Sequence, residues 1–133
     1  MKIFEPKENI NGIISLVENA KEFVEFVSPY SYLEGWDKLK QAINRCSSRG
    51  VRFSYYVRQG EGDKGLEGLN AQIFEVPMLH AKMFFNENEG IISSFHLMNN
   101  RDINWAFKIT DANEYKELIN YFNRCIKPSA IIF

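Results

Sequence analysis

Between Ile10 and Val57 the apolar residues switch period three times, and that alternation restricts the fold more tightly than the composition does. Ile10, Ile13, Ile14, Val17 and Ala20 recur at helical spacing and predict an amphipathic helix over about residues 7–20, weakened by Gly12. Phe23-Val24-Glu25-Phe26-Val27 reads as a strand. Ser28-Pro29-Tyr30 ends it, because proline donates nothing to a ladder and restricts the residue before it. Helical spacing returns from Trp36 through Leu39, Ala42, Ile43 and Cys46, with Gly50 placed to terminate the helix. Residues 51–57 read as a second clear strand.

Further along, strands dominate. Ile73-Phe74-Glu75-Val76 is a short one, broken by Pro77. Residues 79–85 and 91–97 read as two strands joined by Asn86-Glu87-Asn88-Glu89-Gly90, and residues 105–109 as a last strand. Asp111-Ala112-Asn113-Glu114 has the reciprocal arrangement of a helix start, and Tyr115, Leu118, Ile119, Phe122 and Cys125 supply that helix with a buried face. The stretch 59–70 mixes charges with Gly60, Gly62, Gly65 and Gly68 and reads as a mobile loop with one helical turn at Leu66 to Leu69. Those glycines do not open a helix directly after a strand, so they match a phosphate-cradling loop poorly. A β-α-β start with later strands and a closing helix argues for an α/β sandwich, a mixed central β-sheet flanked by helices.

With 133 residues, 45% of them hydrophobic, the chain suffices for one domain over residues 1–133 with a real core. The formal net charge is −1, so no global basic field recruits nucleic acid, and a phosphate-binding surface must be a local arrangement of a few side chains. No stretch reaches the ~18 apolar residues of a membrane span. The start Met1-Lys2-Ile3-Phe4-Glu5-Pro6 lacks the apolar core of a secretion signal, so a soluble, cytoplasmic protein with no membrane partner is expected. Cys46 and Cys125 fall on the apolar stripes of their helices without a CxxC or Cys/His spacing, and both are expected as reduced core residues.

Chemistry concentrates in Leu79-His80-Ala81-Lys82, where an imidazole and an ammonium stand two residues apart and leave the same face of a strand. That pair suits phosphodiester chemistry: His attacks phosphorus or moves protons, and Lys neutralises phosphate oxygens. If Phe85 pairs with Ile91, antiparallel register sets Lys82 opposite Ser94 and His80 opposite His96, with Phe84 and Ile92 on that same face. Taken singly, each group has a blander role: a packed or surface histidine, a solvated lysine, a strand hydroxyl. Arg58 is either a solvated arginine or a side chain within reach of phosphate, and Trp36 and Trp105 read as core or dimer contacts. His80 and His96 without a third ligand make a poor zinc site.

The stretch Leu79-His80-Ala81-Lys82-Met83-Phe84-Phe85-Asn86-Glu87, followed by Ile91-Ile92-Ser93-Ser94-Phe95-His96-Leu97, resembles the phospholipase D superfamily of phosphodiesterases and nucleases. That family is marked by His-x-Lys, an acid five positions later, and a Gly-Ser-x-Asn segment. Weaker echoes are Phe26-Val27-Ser28-Pro29-Tyr30 before a helix and Arg49-Gly50-Val51-Arg52 entering a strand. The resemblance implies a phospholipase D-like sandwich in which His80 is the nucleophile that forms a phosphohistidine, with a second His as general acid on the leaving group. It implies Lys82 as the phosphate-binding lysine and Ser94 as the serine of the second segment. Glu87 stands where the family has an Asp that is more structural than catalytic.

Three positions depart from the pattern. His96 replaces the Asn that helps hold phosphate, Ser93 replaces the glycine and adds a side chain beside the phosphate, and the acid that orients the nucleophile has two alignments. Aligning Asn104-Trp105-Ala106 with the family's Asn-x-Glu makes the acid Ala106; aligning Asn99-Asn100-Arg101-Asp102 keeps it as Asp102. The family needs two His-x-Lys motifs per active site and this chain has one, so the resemblance implies a homodimer acting without metal or other cofactor on phosphodiesters, nucleic acid foremost. His96 as the second His of a single hairpin is the alternative, although cross-strand neighbours emerge side by side and flank phosphorus poorly. The competing function is a degenerate domain that binds nucleic acid or protein without hydrolysis. No amphipathic or basic membrane-facing segment supports phospholipid hydrolysis.

Overall fold

The computed structural model describes residues 2–4, 8–98 and 104–133. In chain order the elements are β1 (Lys2–Ile3), α1 (Asn9–Asn19), β2 (Phe23–Val27), β3 (Ser31–Tyr32), α2 (Asp37–Ser48), β4 (Arg52–Arg58) and β5 (Gln72–Val76). They continue with β6 (Met83–Asn86), β7 (Gly90–Ser93), β8 (Leu97–Met98), β9 (Ala106–Ile109) and α3 (Ala112–Tyr121). A π-helical turn (Phe122–Ile126), a 3₁₀ turn (Lys127–Ser129) and β10 (Ile131–Ile132) follow. Among the described residues, eight strands form one mixed sheet in the order β1-β9-β7-β6-β2-β4-β5-β10. β2, β4 and β5 run parallel at its centre, while β6, β7, β9 and β1 extend it antiparallel on one side and β10 on the other. β3 and β8 pair in parallel as a separate ribbon.

Helices cover both faces, as the sequence pattern demands. Ile13, Leu16 and Val17 of α1 and Leu39, Ala42, Ile43 and Cys46 of α2 bury against Val24, Phe26, Phe53, Tyr55, Val57, Phe84 and Ile91. On the opposite face Leu118, Phe122 and Ile126 bury against Val27, Tyr56, Met83, Phe85 and Ile109. Each large apolar side chain removed from water contributes about 1.5–3 kcal/mol, which is why β2 and β4, covered on both faces, read as nearly continuous apolar runs. Asp111 caps α3 as its spacing predicts, accepting from the Asn113 and Glu114 N–H groups at 3.0 Å each. No helix among the described residues is long and apolar enough to cross a membrane.

Three expectations change. Cys46 is buried but Cys125 is exposed, because the π-helical turn adds a residue to the last turn and delivers Ile126, rather than Cys125, to the stripe begun by Leu118 and Phe122. The glycine-rich stretch is tied down along its length: Leu66 is buried, Gly65 O accepts from Leu33 N–H at 3.0 Å, and Asn44 bonds both Gly68 O and Asn70 N–H. The third change concerns the hairpin. Asn86 and Gly90 belong to the strands, so Met83 pairs with Ile92, Phe84 with Ile91 and Phe85 with Gly90, one residue away from the expected register. Asn86 Oδ1 accepts from both Asn88 and Glu89 N–H, at 2.8 and 2.9 Å, and this side-chain turn shortens the connection to three residues. Phe84 and Ile91 consequently share one face, whereas Ile92 faces the other with Met83 and Phe85.

Candidate active site

His80, Ala81 and Lys82 precede β6 rather than lie within it, and residues 94–96 bend away after β7. Strand direction still brings the two segments to one place. Met83 opens β6 opposite Val27, the last residue of β2, so His80 and Lys82 stand at the carboxyl end of the parallel strands. β7 runs antiparallel to β6 and ends there too. The carboxyl ends of parallel strands are where open α/β sheets bind ligands, since chain reversals there leave a crevice.

His80 is exposed; Lys82, Ser94 and His96 are half-buried. The His80 and His96 rings lie 6.2 Å apart between centroids, at an interplanar angle of 60°. Tyr30 meets the His96 ring edge-on at 5.1 Å. Among the described residues His96 Nδ1 is buried with no hydrogen-bond partner. Burial, and then the charges of Lys82 and His80, push the His96 pKa down to about 4, so the imidazole is neutral at neutral pH. Ser94 is built into the site by its own chain: its hydroxyl donates to Asn104 Oδ1 at 3.2 Å and accepts from the Trp105 N–H at 2.9 Å. The Ser93 N–H donates to Lys82 O at 3.3 Å, which holds the two segments side by side.

Other candidates fall elsewhere. Ser93 does not project beside a phosphate, because its buried hydroxyl donates to Phe95 O at 2.9 Å. Glu87 lies at the far end of the hairpin, where it accepts from the backbone N–H groups of Lys21, Glu22 and Phe23 at 2.8, 3.2 and 3.3 Å. Ala106 is fully buried opposite Ser93 at the start of β9. Asp102 lies outside the described residues.

No family model and no curated protein matches the sequence. Solved structures do match. NucT from Helicobacter pylori superposes with a TM-score of 0.82 at 15% identity, covering 99% of this chain and 98% of that one. Nuc from Salmonella typhimurium, a phospholipase D family member, superposes with a TM-score of 0.76 at 10% identity, covering 99% and 97%. The fold is that of the phospholipase D superfamily. At these identities the likeness is one of fold, and it extends to TrmBL2, an archaeal chromatin protein, with a TM-score of 0.72 at 11% identity over 100% of this chain and 54% of that one.

Within the phospholipase D-like fold, Ser28 and Arg58 take supporting roles that the sequence did not show: Ser28 stood only in a weak echo of the family pattern, and Arg58 was read as solvated or within reach of phosphate. Ser28, fully buried just past β2, accepts from the Leu97 N–H at 2.8 Å and donates to Tyr30 O at 2.9 Å, fixing both the chain after His96 and the loop that carries Tyr30. Arg58 closes β4, and its Nη1 donates to Leu79 O at 3.0 Å, beside His80. Their signal was positional: each stands at or just past the carboxyl end of a parallel strand.

Proposed function

We propose that the protein is a phosphodiester hydrolase of the phospholipase D type, acting on nucleic acid as a homodimer. The observation that carries this reading is the exposed His80, 6.2 Å from the neutral His96 ring and beside Lys82, at the carboxyl ends of the parallel strands. In the proposed reaction His80 of one copy attacks phosphorus, the P–O bond to the leaving group breaks, and the departing oxygen takes a proton from His80 of the second copy. That second imidazole then removes a proton from water, which attacks phosphorus and releases the first His80. Lys82 neutralises the non-bridging oxygens throughout. His96, uncharged, has a ring N–H to offer phosphate where an Asn would use its amide.

A second reading has its own support. Ala106 is apolar and fully buried, and under one alignment it occupies the place of the acid that orients the nucleophile. TrmBL2, an archaeal chromatin protein whose structure is described as showing a novel mode of DNA binding, has this fold over 54% of its own chain. On this reading the domain holds nucleic acid and does not cut it.

One assay separates the two. Hydrolysis of bis(p-nitrophenyl) phosphate and of a labelled oligonucleotide is followed with EDTA present, for the wild type and His80→Ala. The hydrolase reading expects a metal-free rate that the substitution lowers by about a thousandfold or more. No turnover by either protein, with oligonucleotide still bound, favours the binding domain.

A further inference from the structure

The segment that delivers His80 is held in a conformation its own sequence disfavours. After β5 the chain reverses through Pro77 and Met78 before reaching Leu79 and His80. Met78 has φ 61°, left-handed for a side chain that gains nothing from packing there, since it is 82% exposed. Proline followed by a left-handed residue is the φ pattern of a type II turn, whose second position suits glycine or asparagine, so methionine there is strained.

The end of β4 grips that corner from both sides. The Gln59 N–H donates to Val76 O at 3.1 Å, and Arg58 Nη1 donates to Leu79 O at 3.0 Å, the carbonyl of the peptide whose N–H belongs to His80. The Arg58 backbone N–H donates to Pro29 O at 3.0 Å, in the loop whose Tyr30 ring meets His96. A guanidinium bonded to a carbonyl is charge-assisted and stronger than a neutral pair. Arg58, half-buried, thereby joins the two histidine-bearing sides of the site to a central strand.

We propose that Arg58 is a positioning residue for His80: its bond to Leu79 O holds the strained Pro77–Met78 corner closed and sets the approach of the imidazole to phosphorus. This rests on the reading of His80 as nucleophile. Arg58 itself touches no reacting atom, so its effect belongs in kcat rather than in substrate affinity.

The full chain is compared with Arg58→Ala, Arg58→Lys and the double variant Arg58→Ala/Met78→Gly, by kinetics on bis(p-nitrophenyl) phosphate and by the His80 imidazole proton resonance. The chain has two histidines, so loss of one signal in His80→Ala assigns both. Arg58→Ala is expected to lower kcat about tenfold or more while KM moves by less than about twofold, and to shift or broaden the His80 resonance. Arg58→Lys, with a single-point cation, recovers part of the rate. Glycine at 78 relieves the strain that the guanidinium opposed, so the double variant turns over faster than Arg58→Ala alone. An unmoved His80 resonance, a loss confined to KM, or a double variant no faster than Arg58→Ala overturns the proposal. If the wild type hydrolyses nothing, the hydrolase reading fails by itself, and the His80 resonance alone decides whether Arg58 holds this segment.

Discussion

At neutral pH the His96 imidazole carries no charge, because burial and the neighbouring Lys82 and His80 hold its pKa near 4. Unfolded, the same group titrates near ~6.5. Between those values the unfolded chain binds the proton that the folded chain refuses, so stability falls as pH drops through that window. The expected outcome is that urea midpoints measured at neutral pH and at about pH 5 differ more for the wild type than for His96→Asn, which has nothing to titrate. Equal shifts in the two proteins would place the acid sensitivity in other groups. That His80 and Lys82 stand close together was legible from their spacing, while their assignment to a phosphodiester site rests on the longer stretch around them. The neutral state of His96 was not legible, because its largest cause is burial, to which the Tyr30 ring contributes from a segment distant in the chain, even though Lys82 and His80 were expected nearby on the hairpin.

Among the elements, the β6–β7 hairpin shows how a turn decides what a strand pattern leaves open. Asn86 Oδ1 holds two turn N–H groups, which shortens the loop and slides the register by one, and period-two alternation cannot reveal such a slip in strands apolar on both faces. Next to it, Glu87 fastens the hairpin to the start of β2 through three backbone N–H groups. Burial acts to raise the Glu87 pKa, but those N–H groups outweigh it and the net shift is downward. The stabilisation is therefore present above the ordinary carboxylate range and disappears as pH falls through the lowered folded value. Glu87→Gln is expected to cost about 1–2 kcal/mol in urea unfolding at neutral pH, with the gap to wild type narrowing in acid. A gap that stayed constant to low pH would argue against the carboxylate. α3 teaches the same lesson as the hairpin: helical spacing found the helix, yet the π-helical turn that exposes Cys125 follows from how Phe122 and Ile126 dock on the sheet.

For the whole molecule, one His-x-Lys per chain makes stoichiometry the discriminating property of the proposed hydrolase. If two His80 side chains from two copies act on one phosphate, wild type mixed and re-equilibrated with His80→Ala loses activity as the square of the wild-type fraction. A linear loss would return the chemistry to a single chain and revive His96 as the second base. The order of the three helices and of the longer strands, the α/β class with a mixed sheet between helices, and the closeness of His80 and Lys82 were determined by the sequence alone, because periodicity and motif spacing are properties of neighbouring residues; the two-residue strands β1, β3, β8 and β10 are too short to show a period. Tertiary structure decided the hairpin register, the exposure of Cys125, the charge of His96 and the meeting of Ser28, Arg58 and the two histidines at the carboxyl ends of the parallel strands. The exposure of Cys125, the charge of His96 and that meeting of side chains depend on packing, hydrogen bonds and desolvation that exist only once the sheet has assembled, whereas the register follows from the hold of the Asn86 side chain on its own turn, which alternation does not encode.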